Sequence, residues 1–147
     1  MFKHLLIPTD GSTLANKAVK AGIEFAREAG ARVTIYQALE VHASTYYGDG
    51  YTVSKETVAN LQRQHQAHAE KIFSAALKIA AAAGVTCDSF TSEESAPYEG
   101  ILGAAKKRKC DVIFIASHGR GGIGSVVMGS VTQKVLAHSA LPVVVYR

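Results

Sequence analysis

Leu5-Leu6-Ile7-Pro8-Thr9-Asp10-Gly11-Ser12 is the stretch on which the reading of the fold turns. Its first half is an unbroken apolar run; its second half is turn and capping chemistry. Unbroken runs suit strands covered on both faces, as in parallel sheets, whereas a strand facing water on one side alternates. Beyond Ser12, helical spacing places Leu14, Ala18, Ile23, Phe25 and Ala26 inward over about residues 13–29, and Gly30 is placed to end that helix. A second β-branched run, Val33-Thr34-Ile35, follows at once.

The same alternation continues to the end of the chain. Val112-Ile113-Phe114-Ile115 and Val143-Val144-Val145 are further buried-strand runs, and residues 85–90 form a weaker, alternating candidate. A long helix over about residues 54–83 is ended by Gly84, and Pro97 starts a helix reaching about Lys109. The last helix spans Ser130 to about His138, with Ser130-Val131-Thr132-Gln133 fitting a capping box. The order βαβαβαβαβ implies an α/β fold: an open five-stranded parallel sheet with helices on both faces. No repeat, linker or low-complexity segment interrupts it, and 147 residues suit one domain, 1–147. The irregular insertion is residues 42–51, containing Tyr46-Tyr47-Gly48-Asp49-Gly50-Tyr51, read as a lid, a partner-binding loop or an ordinary surface loop.

A chain with 48% hydrophobic and 19% charged residues can build a core, which excludes a disordered protein. The net charge of +4 helps attract phosphates without marking a nucleic-acid binder. The densest basic run, Lys106-Lys107-Arg108-Lys109, falls at a predicted helix end, where cations complement the dipole. No apolar run approaches the ~20 residues that span a bilayer. The N-terminus opens directly into a strand, without a charged leader or cleavage site. Cys87 and Cys110 form no CxxC pair or metal-ligand set and read as reduced thiols; the expectation is a cytoplasmic protein. His65 and His68 stand three apart on the long helix, an incomplete metal pair better read as a solvated face.

In open α/β sheets, ligands bind beyond the carboxyl ends of the strands, where strand order reverses. Those positions hold Pro8-Thr9-Asp10-Gly11-Ser12, Gln37-Ala38-Leu39-Glu40 and the glycine-rich Ala116-Ser117-His118-Gly119-Arg120-Gly121-Gly122-Ile123-Gly124-Ser125. Glycines let backbone N–H groups approach a ligand closely, and the loop leads to Gly129-Ser130 at a helix N-terminus, a natural phosphate site to which Arg120 could add charge. Gly119-Arg120-Gly121-Gly122-Ile123-Gly124 literally matches GxGxxG. No helix follows at once, however, and no acid lies about 20 residues on, so a dinucleotide-dependent oxidoreductase ranks last. There is no Gly-Lys-Ser/Thr of a Walker A loop. Asp10 suits either ligand contact or capping of the first helix, and His118 a structural or phosphate-side role, since no nucleophile with an orienting group accompanies it.

From end to end the chain resembles the universal stress protein family. The resemblance rests on Leu5-Leu6-Ile7-Pro8-Thr9-Asp10-Gly11-Ser12, Ser117-His118-Gly119, Gly129-Ser130-Val131-Thr132-Gln133-Lys134-Val135 and Leu141-Pro142-Val143-Val144-Val145, in that order. It implies strand order 3-2-1-4-5 in an adenine nucleotide alpha hydrolase-like fold. The family's nucleotide-binding branch carries Gly, two residues, Gly, nine residues, Gly, then Ser or Thr. Here Gly119 and Gly129-Ser130 fill the later places, while Ala116 stands in the first, which implies weakened or adjusted binding. Carried over, the pattern has Asp10 at the ribose or a phosphate-bound metal, with Pro8 and Thr9 beside it. Ala38 meets adenine through its backbone, and Ala116, His118 and Gly119 line the sugar and phosphates. Gly129, Ser130 and Val131 hold phosphate. The resemblance thus implies a regulatory, stress-response protein binding ATP or AMP, with Mg²⁺ accompanying ATP and a regulatory protein as partner. It also implies a homodimer through Val143, Val144 and Val145. The rivals are a dimeric interaction module without nucleotide and a nucleotide hydrolase or phosphotransferase. With no P-loop lysine or arginine finger, any hydrolysis would be slow, with only Asp10 or His118 to orient water.

Overall fold

A computed structural model describes residues 1–40, 54–120 and 127–147. The Tyr46 to Tyr51 insertion and residues 121–125 of the glycine-rich loop lie outside the described residues. The elements are β1 (His4–Pro8), α1 (Thr13–Ala29), β2 (Arg32–Glu40), α2 (Lys55–Ala82), β3 (Cys87–Glu94), α3 (Pro97–Lys107), β4 (Val112–Ala116), α4 (Ser130–His138) and β5 (Val143–Tyr146). The five strands are parallel in the order β3-β2-β1-β4-β5, as the alternation and the family resemblance implied.

The local chemistry accounts for most boundaries. Ser12 caps α1 by accepting from the Ala15 amide, and Gly30 closes it at φ 62°, a left-handed conformation in which glycine is unstrained. Pro97 stands in the first turn of α3. β3 runs to Glu94, past the Phe90 at which the alternating pattern stops. It is an edge strand, so polar Ser92, Glu93 and Glu94 can sit on it while the backbone pairs with β2 as far as Glu40. At α4 the capping box is not formed. Gly129 is the N-cap without a side-chain bond, Ser130 is the first helical residue, and the Gln133 amide reaches back to the Met128 carbonyl instead.

Apolar side chains pack against both faces of the sheet. Ile7, Ile35, Val33 and Phe114 meet Ala18, Ile23 and Ala26 of α1 and Ala69, Phe73 and Ala76 of α2. Leu6, Tyr36, Ile113 and Ile115 meet Ile101, Ala104 and Ala105 of α3 and Val135 of α4. Fully burying one Leu or Ile contributes about 1.5–3 kcal/mol, so these layers hold the strands in register. Helix α1 approaches closely because Gly22 has no Cβ: one built there would lie 2.6 Å from Ile7 Cδ1.

The amino-terminal pole of the sheet carries a polar chain that starts buried at His4 and Thr34 and ends at exposed Asp88 and half-buried Arg108. His4 Nε2 lies 2.8 Å from Thr34 Oγ1, which donates to Asp88 at 2.5 Å, and Arg108 donates to the same carboxylate at 3.2 Å. Burial, with help from the Arg32 charge, lowers the His4 pKa below its ordinary value. Cys87 and Cys110 are free thiols near this pole, and burial pushes them up to about 11 and about 12. No helix among the described residues is long and apolar enough to cross a membrane.

Candidate functional site

The carboxyl-terminal pole is open, for reasons visible in the ladder. β1 and β4 pair only at Leu5–Val112 and Leu6–Ile113, so no further pairing joins them toward their carboxyl ends. β1 stops pairing with β2 at Pro8–Tyr36, and the last bond runs from the Thr9 amide to the Tyr36 carbonyl at 2.9 Å. β2 continues to Glu40 with only β3 beside it. Alternate residues present their backbone groups to the same side, so Ala38 offers its N–H and C=O where Tyr36 faced β1, with no strand among the described residues to take them.

The turn after β1 is tied down by its own side chains. Thr9 is buried and accepts from the Gly11 amide at 3.2 Å, and Gly11 adopts φ 75°. Asp10 is not the cap of α1. One of its oxygens accepts from the Ser12 amide and the other from the Arg120 amide, both at 2.9 Å. The second bond joins the β1 turn to the loop after β4, across the point where the strand order reverses. Gly119 fits there because it lacks a Cβ, which would stand 2.3 Å from the Asp10 carboxylate.

Across the crevice, α4 is docked on the end of β4. The Thr132 hydroxyl donates to the Ala116 carbonyl at 2.8 Å, and the Gly129 amide donates to the Ser117 carbonyl at 2.7 Å. The first amides of a helix have no partner within it, and among the described residues no side chain caps this one. The N–H groups of Ser130, Val131 and Thr132 therefore stand at an open helix mouth. His118 lies beside it, its Nδ1 3.2 Å from the Ser117 hydroxyl.

These pieces enclose a cleft of about 570 Å³. Pro8, Thr9, Asp10, Ala38 and Ala116 line it, and so do His118, Gly119, Gly129, Ser130 and Val131. The ten residues singled out from sequence thus share one hollow. Ala116 is 6% exposed and its methyl belongs to the α1-side core, so it forms part of the packed floor. Pro97 and Ile101 of α3 add an apolar wall that sequence reading did not assign to the site. His65, half-buried, and His68, exposed, also line the cleft from α2, so their solvated face borders the site. Arg120 Nη2 lies 2.8 Å from His68 Nε2. A guanidinium can only donate, so that nitrogen accepts. Among the described residues no group of three or more His, Cys, Asp or Glu side chains is placed to hold a metal. Asp10 is the sole carboxylate on the described lining, against Arg120 and three histidines. Such a lining, with free amides at one wall and apolar carbon at another, suits an amphipathic anion.

The whole chain, residues 1–147, matches the Universal stress protein family. The chain belongs to the universal stress protein family. A universal stress protein of Thermus aquaticus, from the QAH/OAS sulfhydrylase 3′ region, is 33% identical over the full length of both chains. The universal stress protein UspA from Lactobacillus plantarum superposes with a TM-score of 0.85 at 22% identity, covering 99% of this chain and 97% of that one. The universal stress protein from Archaeoglobus fulgidus, solved in complex with dAMP, superposes with a TM-score of 0.65 at 19% identity, covering 100% and 98%. Family membership agrees with the parallel strand order of the sheet.

Proposed function

We propose that the cleft binds an adenine nucleotide, ATP or AMP, and that binding serves a regulatory role in the stress response. One observation carries this reading: the uncapped α4 mouth opens into the same hollow as the unpaired backbone edge of Ala38 and the apolar wall of Pro97 and Ile101. Phosphate suits the first, through the N–H groups at Ser130 and Val131 and the Ser130 hydroxyl; a purine suits the second and third. Gly119 gives the phosphates room, His118 and Ala116 line the sugar, and Pro8 and Thr9 shape the floor beside Asp10. Asp10 serves the ribose or, with ATP, a Mg²⁺ carried on the phosphate oxygens. The A. fulgidus relative solved with dAMP supports the ligand class.

The protein acts in the cytoplasm as a homodimer through β5, whose half-buried Val143, Val144 and Val145 pair with β4 on one side and leave an apolar edge on the other. A regulatory protein distinguishes the nucleotide-bound from the nucleotide-free protein. Hydrolysis, if any, is slow, since among the described residues no lysine lines the cleft and Arg120, its one arginine, is held on His68. Ala116 in the first motif position favours a second reading, a dimeric interaction module without nucleotide. Calorimetric titration with Mg·ATP and with AMP separates the two. At 100 times its Kd, a ligand stabilises the fold by about 2.7 kcal/mol, which raises the melting temperature by roughly 5–10 °C. Absence of both heat and melting shift at millimolar nucleotide overturns the nucleotide reading.

A further inference from the structure

We infer that the side-chain amide of Gln37 reads the base, selecting adenine over purines that lack an exocyclic amine at that edge. The inference rests on the nucleotide reading of the cleft. Gln37 lines the cleft beside Ala38, and its Oε1 is buried with no hydrogen-bond partner among the described residues. A buried carbonyl oxygen without a donor is rare in folded proteins and calls for a cause. No hydrogen bond holds that oxygen inward. The terminal torsion of glutamine is broad, so the amide turns toward the cleft with little resistance. Its position suits the task. The Gln37 side chain stands off one face of the sheet while the Ala38 N–H and C=O lie in its plane, so the two approach a base from different directions.

The chemistry of an amide is specific here. Its oxygen accepts from the adenine N6 amine while its NH₂ donates to N7, a bidentate match. Hypoxanthine places a carbonyl oxygen where adenine has the amine, and no rotation of the amide satisfies two adjacent acceptors with one donor and one acceptor. A leucine or valine at this position would have closed the floor without an orphaned oxygen; glutamine leaves a polar pair waiting for a complementary edge.

The test is calorimetric titration of the wild type and Gln37→Met with ATP and with ITP, alongside melting of both proteins without ligand. Methionine keeps the unbranched shape and removes the amide. The wild type is expected to prefer ATP by about 5- to 150-fold, the range of one bidentate pair. In Gln37→Met, the ratio of ATP to ITP affinity shrinks at least about fivefold from the wild-type value, the lower end of one bidentate pair, while the ligand-free melting temperature stays level or rises because no partner is lost. A variant that keeps the ATP preference overturns the inference and leaves the nucleotide site intact. A variant that melts well below the wild type also overturns it, by assigning the amide to the fold. A wild type that binds neither nucleotide removes the site itself, and this role with it.

Discussion

Replacing Gly119 with alanine tests the contact that joins the two sides of the cleft. The backbone at Gly119 is not in the left-handed region, which holds Gly11, Gly30 and Gly84, so alanine meets no torsional penalty. The whole effect must come from the new Cβ, which would lie 2.3 Å from Asp10 Oδ2. Ordinary contact requires roughly 3.5 Å, so the carboxylate must retreat by about 1 Å. That movement takes the 2.9 Å bond from the Arg120 amide beyond hydrogen-bonding range. A charge-assisted bond contributes about 1.5–3 kcal/mol, and this one is exposed on one side, so the expected loss is about 1–2 kcal/mol. For a chain of this size, that lowers the melting temperature by about 2–8 °C.

The decisive assay is a double-mutant cycle by urea unfolding, extrapolated to water. In an Asp10→Ala background the new Cβ meets no carboxylate, so Gly119→Ala should change stability by less than about 0.5 kcal/mol. The coupling between the two positions is then about 1–2 kcal/mol, well above the error of additivity for distant sites. Equal costs in the two backgrounds would refute the contact as the reason for glycine and, with it, the tie between the β1 turn and the loop after β4.

Three further outcomes follow from the packing. Because burial lowers the His4 pKa, the folded state holds that proton less well than the unfolded chain. The stability contribution is therefore complete above about pH 6.5 and declines as pH falls through that value toward the lower folded pKa. Urea midpoints between pH 7.5 and 5 should drop more steeply in the wild type than in His4→Gln. A Cβ at Gly100 would lie 2.4 Å from Tyr36 Oη and 2.7 Å from Glu94 Cγ. Gly100→Ala should cost about 1–3 kcal/mol, relieved in part by Tyr36→Phe, as thermal melting of the single and double variants would show. With thiols at about 11 and about 12, Cys87 and Cys110 should resist iodoacetamide at pH 8 in the folded protein and react fully in urea, as read by intact mass.

The sheet was legible because its strands are written as unbroken β-branched runs, and such runs have few alternatives once helices alternate with them. The cleft was legible where residues sit just past strand ends: Asp10 after β1, Ala38 near the end of β2, and His118 and Gly119 after β4. Residues that reach the cleft from a helix face were not. His65 and His68 are three apart, which fixes their angle to one another but not their direction. The rotation of α2 is set farther along, where Ala69, Phe73, Ala76 and Ala80 press on the sheet. Pro97 read as a helix start, and its second role as cleft wall depends on where α3 crosses β2. The bond from the Arg120 amide to Asp10 spans 110 positions and has no local signature. The shift of the α4 cap from Ser130 to Gly129 is likewise tertiary.

That shift carries the site's main consequence. Position 129 meets two demands that pull against each other. A side chain able to cap α4, such as serine or aspartate, would satisfy the free amides. Any such side chain brings a Cβ, and a Cβ at 129 would lie 3.1 Å from His118 Cα, so that backbone would have to give by a few tenths of an ångström. The docking of α4 on β4, through Gly129 to Ser117 and Thr132 to Ala116, enforces that approach. Close packing at the loop therefore selects glycine, glycine leaves the helix uncapped, and the amides at Ser130, Val131 and Thr132 are left for whatever enters the cleft. The open mouth is a consequence of how the last helix is held, and a substitution that capped it would have to undo that holding first.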